Sequence, residues 1–192
     1  MTGPGASLAG VVLAGGRSVR MGSDKARLRI RGTELWRRQL RVLEQAGARP
    51  LALSLRKRQR SYGWRSGEIR DPTAGAGPMG ALAAALSFSE SRWVAVLAVD
   101  LPRVDAAWFR RLRRKCRPGM GAVVRGPDGF EPLAAIYPST AKRHCFACLE
   151  KGRLSLQTLL GSLVRHRMMV VVPLRAGDRR RLTNWNTPKD LE

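Results

Sequence analysis

The residues best suited to chemistry stand at three points, each directly after a stretch that reads as a strand. The segment Leu13-Ala14-Gly15-Gly16-Arg17-Ser18-Val19-Arg20-Met21-Gly22-Ser23-Asp24-Lys25 follows the apolar run Leu8–Leu13. Gly15, Gly16 and Gly22 permit a sharp turn and a close backbone approach. Amide N–H groups in such a turn can face anionic oxygens, and Arg20 and Lys25 add full positive charge. That combination handles phosphate. Asp100 follows the run Trp93–Val99 and has Pro102 behind it. A carboxylate there can hold Mg²⁺ against phosphate oxygens, or it can cap the first turn of the next helix. Asp71 opens the loop Asp71-Pro72-Thr73-Ala74-Gly75-Ala76-Gly77-Pro78. It can accept from the N1 and N2 donors of guanine, accept from a ribose, or simply form a turn before Pro72. Gly77-Pro78-Met79-Gly80 just beyond can offer a backbone wall to a flat base.

The glycine loop is neither of the two commoner phosphate motifs. A Walker A loop ends in Gly-Lys-Ser/Thr, whereas Asp24 precedes Lys25 here and Ala26 follows it. Gly15-Gly16 does not fit the G-x-G-x-x-G dinucleotide fingerprint either. There is no G-x-S-x-G nucleophile elbow, and His144 and His166 have no triad context. Cys145 and Cys148 form a C-x-x-C beside His144, but a zinc site would need further ligands and only His166 and Cys116 remain. Reduced thiols are expected, with the pair on a helix and at least one of the two facing the core.

The elements that must position these groups alternate between strand and helix, which predicts an α/β fold with a mainly parallel sheet. Strands are expected at Leu8–Leu13, Pro50–Leu55, up to Ile69 or Arg70, Trp93–Val99, Gly121–Val124, Leu133–Tyr137 and Met168–Val172. Helices are expected at Leu35–Gln45, with Trp36, Leu40 and Leu43 inward, at Met79–Phe88, and at Ala107–Lys115, with Trp108 and Leu112 inward. Thr140–Glu150 and Leu156–Leu163 read as two more. Arg56–Arg65 reads as a polar loop or short helix, and Thr187 can cap a last short helix begun by Pro188. In open α/β sheets ligands gather at the carboxyl ends of the strands. The glycine loop, Asp71 and Asp100 should therefore converge on one cleft.

The 192 residues fit one domain, with 44% apolar and 26% charged residues, both ordinary globular values. The formal net charge of +22 is not ordinary, and only six of the 36 basic residues are lysine. Such a charge attracts anions. Nucleic acid is one reading; a small polyanionic substrate is the other. The basic runs Arg56–Arg60, Arg110–Lys115 and Arg179–Arg181 are dispersed and lack interleaved aromatics, so only weak, nonspecific nucleic-acid binding at low salt is expected. Residues 1–7 read as a flexible start without a secretory signal, and no apolar run is long enough to span a membrane, so a cytoplasmic location is expected.

Five motifs in fixed order resemble the molybdenum cofactor guanylyltransferases, the MobA type, among nucleotidyltransferases with a Rossmann-like sheet. They are Leu13-Ala14-Gly15-Gly16 with Arg20-Met21-Gly22 and Asp24-Lys25; Asp71 ahead of Gly77-Pro78-Met79-Gly80; Val99-Asp100-Leu101-Pro102; Glu131-Pro132-Leu133-Ala134-Ala135-Ile136-Tyr137; and Asn184-Trp185-Asn186-Thr187-Pro188. The resemblance implies a three-layer fold with helices on both faces of a mainly parallel sheet. It implies one domain over 1–192, with a nucleotide half at about 8–105 and an acceptor half at about 106–192. It implies transfer of GMP from GTP, with Mg²⁺, to the phosphate of the molybdopterin-bound cofactor, and proteins that deliver the cofactor or receive the product, molybdoenzymes or their chaperones. Cobinamide and sugar phosphates are alternative acceptors, and a nonenzymatic, basic nucleic-acid-binding protein on the same fold is the alternative class. CTP-using relatives tend to carry Leu-Ala-Ala-Gly, so Gly15 after Ala14 implies guanine. By resemblance, Leu13, Ala14, Gly15, Gly16, Lys25, Ser54, Asp71, Gly80 and Asp100 bind the nucleotide. Lys25, Arg20 and Asp100 serve catalysis, Asp100 holds the metal, and Arg153, Asn184 and Asn186 line the acceptor side. The chain departs from the family pattern at Ser54, where Asn is frequent, and at Lys189, where an acid is common. Nucleotidyl transfer needs no protein nucleophile. The acceptor phosphate attacks the α-phosphorus in line and pyrophosphate leaves, so positioning and positive charge carry the catalysis.

Overall fold

The computed structural model describes residues 8–15, 24–64, 67–73, 75–183 and 185. Ten strands and five α-helices alternate in the described chain. They are β1 (Leu8–Leu13), β2 (Arg29–Ile30), β3 (Thr33–Glu34), α1 (Leu35–Gln45), β4 (Leu51–Leu55), β5 (Glu68–Arg70), α2 (Gly77–Ser87), β6 (Trp93–Ala98), α3 (Ala106–Arg113), β7 (Gly121–Gly126), β8 (Gly129–Phe130), β9 (Ala134–Pro138), α4 (Lys142–Glu150), α5 (Leu156–Arg165) and β10 (Met169–Pro173). The main sheet runs β10-β7-β9-β6-β1-β4-β5, with β8 paired to β7. β5, β4, β1 and β6 are mutually parallel. β9 enters antiparallel to both β6 and β7, and β10 is parallel to β7. Only β9 and the hairpin strand β8 oppose the common direction, so the sheet is mainly parallel, as the alternation predicts. The reversal has a simple cause: too few residues separate Gly126 from Ala134 for a helical crossover, which needs a dozen or more.

β1 and β6 are buried along their whole length, as expected of continuous apolar runs in the middle of a covered sheet. One face carries α1 and α3, which pack on each other. Leu35, Trp36, Gln39, Leu40, Val42 and Leu43 of α1 and Trp108, Phe109 and Leu112 of α3 turn inward. The other face carries α2, α4 and α5, with a core built from Met79, Leu82, Tyr137, Leu159 and Leu160. The result is three layers. Gly10 shows how closely α1 lies on the sheet: a Cβ there would come within 3.1 Å of Leu43 Cβ and 2.8 Å of Leu51 Cδ2. The small side chains of α2 bury that helix almost completely, as its alanine content predicts.

The element bounds shift modestly. α2 begins at Gly77, with Pro78 in its first turn, where its missing N–H costs no hydrogen bond. α4 begins at Lys142, after a 3₁₀ turn at Ser139–Ala141. The hairpin β2–β3 is absent from the sequence expectations. Its turn is Arg31-Gly32, both at positive φ (49° and 77°), and a left-handed arginine leaves little trace in a sequence. The expected helix after Thr187 lies outside the described residues. Among the described residues no helix is long and apolar enough to cross a membrane.

Candidate functional site

The chain runs from β1 out to β4 and β5, then returns across β1 to β6, which makes the carboxyl ends of β1 and β6 the switch point where open sheets bind ligands. The glycine loop leaves β1 there, Asp71 follows β5, and Asp100 follows β6. The Ala14 amide donates to the Ser54 carbonyl (2.9 Å), and the Val99 amide donates to the Leu13 carbonyl (3.1 Å). Leu13 and Ala14 are both buried. At Gly15 a Cβ would lie 3.2 Å from Arg56 Cγ and 3.6 Å from Asp71 Oδ2. A side chain here would crowd Arg56, whose backbone N would lie 3.3 Å from the Cβ, while the distance to Asp71 is an ordinary contact.

Ser54 Oγ donates to Asp71 Oδ1 at 2.9 Å. Burial raises the Asp71 pKa, and the Ser54 hydrogen bond and the Arg56 charge oppose that rise. One carboxylate oxygen of Asp71 is therefore held by Ser54 and the other faces Gly15. On the other side of β1, the Trp185 amide donates to the Asp100 carbonyl (3.0 Å) and Lys25 Nζ donates to the Trp185 carbonyl (3.3 Å). Burial also raises the Asp100 pKa, and the Lys25 ammonium moderates it. A desolvated carboxylate beside an ammonium suits a group that takes a cation. The competing reading of Asp100 as a helix cap does not hold. α3 is capped instead by Asp105, whose Oδ1 accepts from the Trp108 amide at 2.9 Å.

The donor set fits Mg²⁺ in a limited way. Among the described residues no group of three or more His, Cys, Asp and Glu side chains could hold a metal. A lone carboxylate is compatible with Mg²⁺, which keeps water and takes phosphate oxygens.

Asp24 of the first motif braces Lys25 with two residues that a reading of motifs alone misses, Gln59 and Tyr62. Asp24 Oδ1 caps the turn Lys25–Arg27 by accepting from the Ala26 amide at 3.1 Å. Its Oδ2 takes a short hydrogen bond from the Tyr62 hydroxyl. Gln59 Nε2 donates to the Ala14 carbonyl (3.0 Å) and to Tyr62 Oη (2.8 Å). Burial, then the neighbouring Asp24, raises the Tyr62 pKa, so the phenol keeps its proton. Tyr62 also stacks on Trp36 of α1, with ring centroids 5.8 Å apart. Arg56–Arg65 reads as polar because its inward residues are too few to give a period; Tyr62 and Trp64 among the arginines are the signal, and both meet Trp36.

The tail is tied down by charge. Asp178, 1% exposed, accepts from Arg111 (2.7 Å), the Arg175 amide (2.9 Å) and Arg181 (3.2 Å). Arg181 also reaches Asp105 at 3.0 Å. These bonds fix the segment that leads to Trp185.

Gly80 lies in the first turn of α2, where a Cβ would meet Ala76 Cβ at 3.0 Å and the Thr73 carbonyl at 3.4 Å. It lets the loop after Asp71 fold onto the helix. Arg153 is exposed on the connection between α4 and α5. β9 ends beside Trp93, so α4 climbs back and brings that connection to the same end of the sheet as Asp100. A cavity of about 550 Å³ at the carboxyl ends of β7 and β10 is lined by Arg125, Arg175 and Arg179 among others. Gly16, Arg20, Asn184 and Asn186 lie outside the described residues. Cys145 is buried on α4, as expected, and burial pushes its thiol up to about 12.

The MobA-like NTP transferase domain profile matches residues 10–169. The chain belongs to the MobA-like NTP transferase family. Like its family, it is a nucleotidyltransferase. It is 50% identical over 195 residues to a probable molybdenum cofactor guanylyltransferase of Opitutus terrae, covering 100% of this chain and 96% of that protein. It is 32% identical to a probable molybdenum cofactor guanylyltransferase of Synechococcus elongatus, covering 97% of each. Among solved structures, molybdopterin-guanine dinucleotide biosynthesis protein A of Archaeoglobus fulgidus superimposes with a TM-score of 0.73 at 24% identity, covering 95% of this chain and 94% of that one. The 2-C-methyl-D-erythritol 4-phosphate cytidylyltransferase of Thermus thermophilus gives 0.68 at 15% identity, covering 94% of each. Both structural likenesses bear on the fold.

Proposed function

We propose that this member of the MobA-like family transfers GMP from GTP to the phosphate of the molybdopterin-bound cofactor, releasing pyrophosphate and forming the guanine dinucleotide. The observation that carries the reading is Asp100: a desolvated carboxylate at the switch point, relieved of any capping role and set beside Lys25. The names of full-length relatives supply the substrates.

In this reading the backbone of Leu13, Ala14 and Gly15 lies along the nucleotide. Asp71, oriented by Ser54, accepts from the nucleoside. Lys25, Gly16 and Arg20 take the phosphates, and Gly80 keeps the floor of the base pocket flat. Asp100 would hold Mg²⁺, which neutralises triphosphate charge when bound. Lys25, fixed by Asp24 and the Trp185 carbonyl, balances the charge that develops as pyrophosphate departs. The net charge of +22 draws both anionic substrates toward the cleft.

The acceptor approaches from the other half of the same edge. β7 and β10 stand two and three strand positions from β6, or roughly 10–15 Å at the usual strand spacing. That span suits a pterin-sized molecule reaching from the arginine-lined cavity to Asp100. Arg153, Asn184 and Asn186 belong to this side. The reaction then takes place in the cytoplasm, where GTP is at hand. The test is transfer of label from GTP carrying it at the α-phosphate. Label in a pterin dinucleotide with the wild type and none with Asp100→Ala supports the reading. Equal labelling by the variant, or labelling only with another phosphate acceptor, contradicts it.

A further inference from the structure

A second cavity, of about 480 Å³, lies at the opposite pole of the sheet. It sits where β7 and β10 begin and β9 ends, lined by Met120, Met168 and Thr140 at those junctions. A six-residue strand at the usual rise puts this pole on the order of 20 Å from the nucleotide site. Its chemistry is concentrated in four side chains: Arg143 and His144 from the first turn of α4, and His166 and Arg167 just past the end of α5. Among the described residues no carboxylate lines it.

The two imidazoles stand with ring centroids 5.9 Å apart. His144 Nε2 is buried and has no hydrogen-bond partner. His166 Nδ1 lies 2.8 Å from the Ser162 carbonyl, which can only accept, so that nitrogen carries a proton and Nε2 is left for a ligand. Arg167 holds a left-handed backbone (φ 55°), an uncommon conformation for a non-glycine residue. Burial, then the Arg143 and His166 charges, lowers the His144 pKa. Two guanidinium groups beside the imidazoles repel a metal cation and attract an oxyanion, which Arg recognises in a forked geometry.

We propose that this cavity binds a compact phosphate-type oxyanion, at a site separate from the nucleotide cleft. The volume is that of a small-molecule pocket, and no Phe, Tyr or Trp is among its lining residues to offer a base the wide stacking platform of a single-strand groove.

The chain contains only two histidines, and both line this cavity. Their ring C–H resonances in a proton NMR spectrum therefore report on this site alone. The experiment titrates inorganic pyrophosphate into the full-length protein, without added metal, and follows both signals. Both should shift and saturate. In Arg143→Gln/Arg167→Gln the half-saturation point should rise by about tenfold or more, since each lost contact is a charge-assisted hydrogen bond. Both arginines are exposed, so the melting temperature should not change. Signals that stay still, that drift without saturating, that saturate equally in the double variant, or that respond only to an RNA oligonucleotide would each overturn the proposal.

Discussion

Asp178→Ala isolates the bonds that tie the segment after β10 to α3. The wild-type carboxylate is buried, and its partner Arg111 is itself 8% exposed. Removing the acid leaves the Arg111 charge in place, with Nε and one terminal nitrogen already lacking hydrogen bonds. Breaking a buried pair from one side costs about 3–5 kcal/mol. Arg111 also sits 4.9 Å above the Trp108 ring, a contact that survives the change. That places the loss near the lower figure, about 3 kcal/mol. For a chain of this length the melting temperature should fall by roughly 6–12 °C. Arg111→Met in the same background should restore part of the loss, because no stranded charge remains. The pH dependence has a definite sign. Burial raises the Asp178 pKa, but the Arg175 amide, Arg111 and Arg181 outweigh it and hold the pKa below the usual carboxylate range. The stabilisation is therefore fully present above the unfolded pKa of about 3.9 and is lost as pH falls through the lower, folded value. Urea unfolding followed by circular dichroism across that window measures it. A variant that melts within about a degree of wild type at pH 7 would refute the reasoning, given the size of the predicted loss. So would a deficit that persists undiminished in acid.

Asp100→Asn should abolish GMP transfer without weakening the fold, since a raised folded pKa means the ionised carboxyl costs stability at neutral pH. A thermal melt beside the activity assay checks both halves, and a marked drop in melting temperature would count against it. Lys25→Ala should weaken GTP binding by about 1.5–3 kcal/mol, the range for a charge-assisted hydrogen bond; unchanged calorimetric affinity would mean that Lys25 does not reach the phosphates. Ser54→Ala removes a bond that holds the Asp71 pKa down. Its GTP affinity should therefore fail at a higher pH than wild type as acid is added, and an acid limb that stays in place would separate Asp71 from the nucleotide.

The strands that end at the site were readable because they are continuous apolar runs. Leu8–Leu13 and Trp93–Ala98 have no exposed face, so no polar residue interrupts them. The glycine loop and Asp100 stand out in the sequence because each follows such a run, whereas Asp71 follows β5, whose residues Glu68-Ile69-Arg70 are neither all apolar nor fully buried. The reversal at β9 was not, because strand direction depends on the length of a connection rather than on the strand's own residues. The Asp24–Gln59–Tyr62 brace was hidden for a related reason: its three members touch across 38 positions of chain and share no period. Asp178 looked like one acid among arginines, and only the fold shows that Arg111, 67 positions away, turns inward to meet it.

The most direct test of the central claim is calorimetric titration with GTP, CTP and ATP, each with Mg²⁺ at moderate salt. The account predicts saturable binding of GTP in clear preference to the other two, lost in Asp71→Ala. Equal, weak, salt-sensitive binding of all three would contradict it and leave only a basic surface.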